Sequence, residues 1–199
     1  MAYLVTILFS YLLGCANLAL GLARLKQVDL RSQGSKNPGA SNAMILLGWR
    51  AGVLVALHDI GKAALAVVLA RLLFPEAPNI GAVAGVAAVL GHIFPAPMRF
   101  RGGKGFASYL GMTLALNWRF ALVVLAVVAL VTLLTDYIVA GTTATVLLVP
   151  SYLGWEQHSP WPALILLIAT GVILCKHREN YRRMLAGTEF RFRSALWKK

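Results

Sequence analysis

The sequence predicts an all-α, polytopic membrane protein with about seven transmembrane helices. Hydrophobic residues make up 59% of its 199 residues and charged residues only 13%, which is roughly half the charged share of a typical soluble domain. No charged side chain occurs from Met1 through Ala23, a stretch long enough to cross the hydrocarbon core of a bilayer. Lipid is therefore the expected solvent, and we expect a single integral membrane domain over 1–199.

Seven apolar segments alternate with polar turns along the chain. The fourth is the shortest, and because it begins among glycines we expect a partial or tilted helix there. The one long polar stretch, Arg24 to Arg50, is expected to contain a short surface helix from Ala40 to Gly48. The predicted spans are about 3–23, 51–74, 79–97, 104–117, 119–134, 137–154 and 160–176.

Basic residues are distributed unequally between the two predicted faces of the membrane. The chain has 19 Lys and Arg against 7 Asp and Glu, a formal net charge of +12. With an odd number of spans, all of the basic residues except Lys62, Arg71 and Arg119 fall on one face. The positive-inside rule makes this face cytoplasmic, with the N-terminus outside and the C-terminus inside. Charge in this position indicates anionic lipid or an anionic substrate as partner, and no nucleic acid.

The first polar loop runs from Gly34 to Asn42 with the sequence Gly-Ser-Lys-Asn-Pro-Gly-Ala-Ser-Asn, just before the predicted surface helix. Backbone amides in such a turn can converge on an anion. The alternative is an ordinary loop in which Ser41 or Asn42 caps the helix. This segment alone does not decide between the two.

The second loop runs from Arg101 to Ser108 and places Gly102, Gly103 and Gly105 around Lys104. Glycines let a backbone approach a phosphate closely while the ammonium group neutralises it. The spacing is not that of a nucleotide-binding P-loop, so ATP is not indicated. The alternative is a loop whose charges serve only to orient the neighbouring spans.

A third basic segment, Lys176 to Arg183, continues the last predicted span. Helical spacing puts His177 and Asn180 on one face, although a basic helix end with no further role is the alternative. Within the second span, Asp59 and Lys62 are spaced to pair, either structurally or as part of catalysis. For His92 we expect a structural hydrogen bond. Cys15 and Cys175 both lie in apolar segments, so neither a disulfide nor a metal site is expected.

Taken in order, these segments resemble the bacterial acyl-phosphate-dependent glycerol-3-phosphate acyltransferase family along nearly the whole chain. The family's Gly-Ser-Gly-Asn-x-Gly-Ala-Thr-Asn matches Gly34 to Asn42, and its Lys-Gly-Gly-Lys-Gly-x-Ala-Thr matches Arg101 to Ser108. Its His-Arg-Glu-Asn, followed by Arg and Gly-x-Glu, matches His177 to Glu189, and its Asp-x-x-Lys and Gly-His-x-x-Pro patterns recur in the second and third spans. The departures are Lys36 and Ala63 for glycine, Ser41 and Ser108 for threonine, Arg101 for lysine, and Ile45 for arginine.

The resemblance implies transfer of a fatty acyl group from acyl phosphate to the 1-hydroxyl of glycerol 3-phosphate, with no cofactor and no metal. It implies a multi-pass protein of the bacterial cell membrane, with the lipid bilayer as a partner and the active site on the cytoplasmic face. By position, Ser35, Asn37, Gly39 and Ser41 are implied to contact acyl phosphate. The implied catalytic residues, which hold and orient glycerol phosphate, are Lys104, His177 and Asn180. The remaining implied substrate-binding residues are Gly34, Asn42, Arg101, Gly102, Gly103, Gly105, Ser108, Thr142, Arg178 and Glu179.

Three other functions are compatible with parts of this pattern. A transporter or flippase for a phosphate-bearing lipid precursor would also use charge within the membrane, although no internal repeat is visible. An acyl-thioester-dependent acyltransferase is expected to carry His-x-x-x-x-Asp, and none of the four histidines has an aspartate at that distance. A purely structural partner gives no reason for three phosphate-fitting loops on one face.

Overall fold

The computed structural model describes residues 1–193, and all regular structure among them is helical. Contacts between α-carbons divide the chain into two compact units, Met1–Leu116 and Asn117–Lys199. The first unit contains α1 to α6 and the second contains α7 to α10. The helices are α1 Ala2–Gly14, α2 Leu18–Leu25, α3 Ala40–Leu47, α4 Trp49–Leu73, α5 Ile80–Ile93, α6 Phe106–Leu116, α7 Trp118–Thr135, α8 Ile138–Glu156, α9 Pro160–Lys176 and α10 Arg178–Leu185.

The prediction of an all-α, multi-pass membrane protein is confirmed. Within the described residues, 5 stretches are long and apolar enough to cross a membrane, and α9 with α10, bent by 46°, raises the number to 6 when counted as one. Helix α6 is apolar but short, as expected for the fourth span, and the predicted surface helix is α3. The count of seven spans and the orientation of the termini stay predictions. The five stretches are Ala2–Leu25, Trp49–Leu73, Ile80–Met98, Trp118–Thr135 and Ile138–Glu156.

The first predicted span is broken into α1 and α2 at Cys15 to Asn17. Asn17 causes this break because its side chain caps the second helix: the Leu20 N–H donates to Asn17 Oδ1 at 3.0 Å. Its Nδ2 donates to the Pro38 carbonyl at 3.2 Å. Asn17 therefore links the first span to the first loop, at the point where that loop turns toward α3.

In the first unit, helices approach one another closely through glycines. A Cβ on Gly14 would overlap the backbone of Ala88, and one on Gly91 would overlap the backbone of Tyr11, so α1 and α5 are in backbone contact. Small residues at such positions are typical of helix packing in lipid. The Tyr11 hydroxyl adds a polar link, since it donates to the Phe94 carbonyl at 2.7 Å and accepts from the Ala96 N–H at 3.1 Å.

The side chain of Arg71 caps the C-terminal end of the short helix α6. Its guanidinium donates to the carbonyls of Ala115 at 2.8 Å and Leu116 at 3.4 Å, which are left without helical partners at the end of α6. The arginine lies in the last turn of α4. One of the few basic residues outside the three loops therefore has a structural role.

In the second unit, α8 packs against α7 and α9. Pro150 lies inside α8 and cannot donate the backbone hydrogen bond that the Val146 carbonyl would accept. The Thr170 hydroxyl of α9 donates to this carbonyl at 2.8 Å. A neighbouring helix thus satisfies the polar group that the proline releases, as is required in an apolar solvent.

Candidate active site

Asn42 determines the shape of the first loop. Its side chain is fully buried, its Oδ1 accepts from the Ser35 N–H at 2.8 Å, and its Nδ2 donates to the Leu30 and Gln33 carbonyls at 3.0 and 3.1 Å. The amide thus makes three hydrogen bonds within the loop. The N-cap of α3 is Gly39, which has no side chain to cap with, so the alternative in which Ser41 or Asn42 caps the helix is wrong.

The first loop has two exposed hydroxyl side chains, those of Ser35 and Ser41. Asn37 is half-buried and Gly39 is buried. Gly34 and Lys36 both have left-handed backbone conformations, with φ of 60° and 55°, a region that glycine adopts without cost. At Gly34 a Cβ would also overlap Asn42 Oδ1. Lys36 is therefore strained, which explains why the family pattern has a glycine at this position.

Arg31 joins the first loop to the second. Its backbone N–H donates to Asp29 Oδ1 at 2.9 Å, and this hydrogen bond holds the pKa of the Asp29 carboxyl below its usual value. Its guanidinium donates to the Arg101 carbonyl at 3.0 Å. This exposed hydrogen bond links the segment just before the first loop to the start of the second loop.

The glycines of the second loop pack against the end of α5. The Gly102 N–H donates to the Ile93 carbonyl at 3.1 Å, and the Gly103 N–H donates to the His92 carbonyl at 3.2 Å. Gly105 has a φ of 91°, which favours glycine. The first two amides thus point into the protein rather than toward an anion, which differs from the geometry that the sequence indicated.

Two further side chains of the second loop differ in burial. Lys104 is half-buried, so part of it is accessible to a ligand. Ser108 lies in the first turn of α6 and is fully buried, and among the described residues its hydroxyl has no hydrogen-bond partner. Its contact with substrate stays a prediction.

A buried polar cluster formed by Asp59, Lys62 and His92 lies next to the second loop. The Lys62 ammonium lies 2.9 Å from Asp59 Oδ1, 2.9 Å from His92 Nδ1 and 2.6 Å from the Ala16 carbonyl oxygen. All three side chains are buried. The structure thus confirms both the Asp59–Lys62 pair and the structural hydrogen bond expected of His92.

In the second unit, His177 lies between α9 and α10 and Asn180 lies in the first turn of α10, and both side chains are buried, as expected for residues that share one face. The His177 Nδ1 lies 2.8 Å from the Ile173 carbonyl, which can only accept, so the ring donates from Nδ1. Asn180 Nδ2 donates to Glu189 Oε1 at 2.7 Å. Arg178 and Glu179 are exposed on the other side of the helix.

Glu189 has a larger structural role than the sequence indicated. Its second oxygen accepts from Arg183 Nε at 2.7 Å, so one carboxylate holds both Asn180 and Arg183. The family pattern Gly-x-Glu was the signal for this residue.

Thr142 is buried, and its hydroxyl donates to the Ile138 carbonyl of its own helix at 3.1 Å. The next residue, Thr143, connects α8 to α10 through the Tyr181 hydroxyl at 2.8 Å.

Known proteins of one family are similar to this chain over nearly its whole length. Residues 4–187 match the family model described as glycerol-3-phosphate acyltransferase. The chain is 34% identical to glycerol-3-phosphate acyltransferase 1 of Oceanobacillus iheyensis, with 100% of this chain and 99% of that protein covered. It is 40% identical to the glycerol-3-phosphate acyltransferase of Nitrobacter winogradskyi, with 94% and 95% covered.

Two solved structures share the fold. One is the crystal structure of PlsY (YgiH), an integral membrane glycerol 3-phosphate acyltransferase, in its glycerol 3-phosphate form. It superposes with a TM-score of 0.91 and 32% identity over 100% of both chains. The lysophosphatidic acid form of PlsY superposes with a TM-score of 0.86 and 31% identity, covering 96% of this chain and 95% of that one.

Proposed function

Because this chain belongs to the glycerol-3-phosphate acyltransferase family and is an acyltransferase of phospholipid synthesis, we propose that its donor is acyl phosphate and its acceptor the 1-hydroxyl of glycerol 3-phosphate. The carbonyl carbon of the donor forms an ester bond with the hydroxyl oxygen, and its bond to the phosphate oxygen breaks. The products are lysophosphatidic acid and inorganic phosphate. The match over residues 4–187, which contains all three loops, carries this proposal.

The first loop is the proposed site of the acyl phosphate headgroup. Ser35 and Ser41 present exposed hydroxyls, and Ser41 lies in the first turn of α3, where backbone N–H groups favour an anion. Asn42 contributes indirectly, because its three hydrogen bonds keep Ser35 in place. An acyl tail attached to this headgroup would remain in the lipid.

Lys104, His177 and Asn180 are the proposed residues for glycerol 3-phosphate. Lys104 neutralises its phosphate, since a charge-assisted contact to phosphate is among the stronger polar interactions. His177 donates to Ile173 through Nδ1, so any contact of this ring with the substrate goes through Nε2. Asn180 donates to Glu189 through Nδ2, which directs its Oδ1 away from that carboxylate and makes it the proposed acceptor for a glycerol hydroxyl.

These residues bind and orient the substrates, and no protein side chain needs to act as a strong base. The acyl phosphate is already activated, and its own phosphate takes the proton of the attacking hydroxyl as it leaves. Catalysis then consists of positioning two anionic headgroups and neutralising their charge. This division of roles predicts that loss of Lys104 harms turnover more than loss of Arg99, an exposed arginine outside the second loop.

The donor is tested with purified protein and radiolabelled glycerol 3-phosphate. Acyl phosphate as sole donor should give lysophosphatidic acid, and acyl-coenzyme A or acyl carrier protein should give none. Equal turnover with an acyl thioester would refute the choice of donor. An inactive protein with every donor, in a preparation that remains folded, would refute the acyltransferase function itself.

The role of Lys104 is tested by comparing Lys104→Ala with Arg99→Ala. Losing a charge-assisted contact costs about 1.5–3 kcal/mol, or about 10- to 150-fold in kcat/KM. Arg99 is exposed in the same segment, and its loss should leave kcat/KM within about twofold. If both variants insert normally and turn over like the parent, Lys104 serves only to orient the spans.

We also propose a bacterial cell membrane location with the three loops on the cytoplasmic face. The distribution of basic residues supports this orientation. In a chain lacking Cys15 and Cys175, a cysteine introduced at the exposed Gln157 should react with an impermeant reagent in intact cells. A cysteine at the exposed Ser32 should react only after lysis, and the opposite pattern would reverse the topology.

A further inference from the structure

The polar cluster of Asp59, Lys62 and His92 is directly connected to the second loop. His92 is the last residue but one of α5, and its carbonyl accepts the Gly103 N–H at 3.2 Å. A Cβ placed on Gly103 would overlap the His92 ring, meeting Nε2 first and Cε1 at 2.9 Å. The residue that precedes Lys104 thus rests on both the backbone and the side chain of His92.

Lys62 fixes the orientation of this ring. Its ammonium has three hydrogens and three acceptors, namely the Ala16 carbonyl, Asp59 Oδ1 and His92 Nδ1. Because an ammonium group can only donate, His92 accepts from it at Nδ1, which also lies 3.4 Å from Asp59 Oδ1, and Nε2 is the ring nitrogen beside Gly103. Within the buried cluster, the charges of Asp59 and Lys62 compensate each other. This arrangement avoids the cost of an unpaired charge in a membrane protein.

We propose that His92 is a positioning residue for the second loop, and that its ring and carbonyl, held by Lys62 and Asp59, set where Gly103 and Lys104 lie. The cluster does not touch substrate in this proposal. It determines the position of Lys104, which does touch substrate. The expected effect on substrate binding rests on the proposed role of Lys104 toward glycerol 3-phosphate. A disturbed cluster should therefore weaken glycerol 3-phosphate binding more than it slows the chemical step.

The test is a double-mutant cycle between positions 92 and 103. Gly103→Ala introduces a methyl group that meets the His92 ring, and we expect KM for glycerol 3-phosphate to rise by about tenfold or more. His92→Asn keeps an oxygen that can accept from Lys62 but removes Nε2 and Cε1, the ring atoms nearest to that methyl group. In the double variant, KM should return to within about threefold of the His92→Asn value.

Gly102→Ala is the matched control. A Cβ there would overlap the His92 backbone carbonyl and lie 2.6 Å from the Pro95 ring, and neither obstacle is removed by His92→Asn. We therefore expect no recovery in the Gly102→Ala, His92→Asn combination. If His92→Asn restores KM for glycerol 3-phosphate in the Gly103→Ala background but not in the Gly102→Ala background, the effect comes from the contact between the His92 ring and the second loop.

KM, kcat and the melting temperature of each detergent-purified variant separate positioning from stability alone. A purely structural role would lower the melting temperature and the active fraction while KM stayed constant, and that result would overturn the proposal. Independent effects of Gly103→Ala and His92→Asn on KM would overturn it as well. His92→Ser, which also retains an acceptor oxygen, completes the same cycle if His92→Asn does not accumulate. An active Lys104→Ala variant would remove only the role of Lys104, because the coupling of positions 92 and 103 is measured independently.

Discussion

Replacing Glu189 by glutamine tests how Asn180 is held in the second unit. The Glu189 carboxylate accepts two hydrogen bonds, one from Asn180 and one from Arg183, each of 2.7 Å. A glutamine has one acceptor oxygen and one NH2 group, so it satisfies only one of these donors. If the oxygen stays with Arg183, the NH2 group faces Asn180 Nδ2, and the Asn180 amide has to turn over.

The expected loss follows from these contacts. The side chain of Glu189 is only 10% exposed, so its hydrogen bonds are poorly replaced by water. A charge-assisted hydrogen bond contributes about 1.5–3 kcal/mol, which corresponds to about 10- to 150-fold in kcat/KM if Asn180 must present Oδ1 to the substrate. The loss should appear with glycerol 3-phosphate as the varied substrate and acyl phosphate at saturation.

Glu76→Gln is the control for this experiment. Glu76 carries the same carboxylate, is exposed between α4 and α5, and belongs to none of the three segments that match the family. A change at such an exposed position should leave the activity within a few fold. Equal activities of the Glu189→Gln and Glu76→Gln variants, at equal amounts of folded protein, would refute the assigned orientation of Asn180.

Three further predictions concern other parts of the chain. Thr170→Val removes the hydrogen bond that the Val146 carbonyl accepts from α9 and should lower the free energy of unfolding by about 1–2 kcal/mol. Thr170→Ser keeps the hydroxyl and should not lower it. Equal melting curves of the two variants would contradict this prediction. Lys36→Gly removes a left-handed lysine at φ 55° and should raise stability by up to about 1 kcal/mol without loss of activity, so a loss would mean that the lysine contacts substrate. Ile45→Arg places a cation one helical turn from Ser41 on an exposed face of α3 and should lower KM for acyl phosphate. Ile45→Gln is the uncharged control. An identical KM for the two variants would exclude an effect of charge.

The apolar helices were predictable because a membrane span depends on local properties. A run of about 20 apolar residues can be read from adjacent positions. Helix α3, the short α6 and the shared face of His177 and Asn180 follow from the same kind of local pattern. The break at Asn17 was not predicted, because a single polar residue in an apolar run does not show whether its side chain will cap a helix or pack inside one.

The contacts that hold the loops were not predictable, since each depends on how the chain folds back on itself and not on the properties of adjacent residues. His92 meets Gly103 through the end of α5, and Lys62 reaches Ala16 across 46 positions. The glycines of the second loop show the consequence. Their spacing indicated a phosphate cradle, but two of their amides bond to α5, and glycine is required there because any side chain would overlap that helix end.

One polar side chain supports each of the three segments that match the family: the buried Asn42 holds the first loop, the buried His92 contacts the second loop, and Glu189, 10% exposed, holds Asn180 of α10. All three supporting residues are those of the family pattern. Of the six departures from that pattern, Lys36, Ser41, Arg101 and Ile45 are exposed, whereas Ala63 and Ser108 are fully buried and keep a small side chain. A changed exposed residue alters what a substrate meets, whereas a changed support removes hydrogen bonds or packing that hold its segment. We therefore expect substitutions at Asn42, His92 or Glu189 to lower activity more than the exposed departures do.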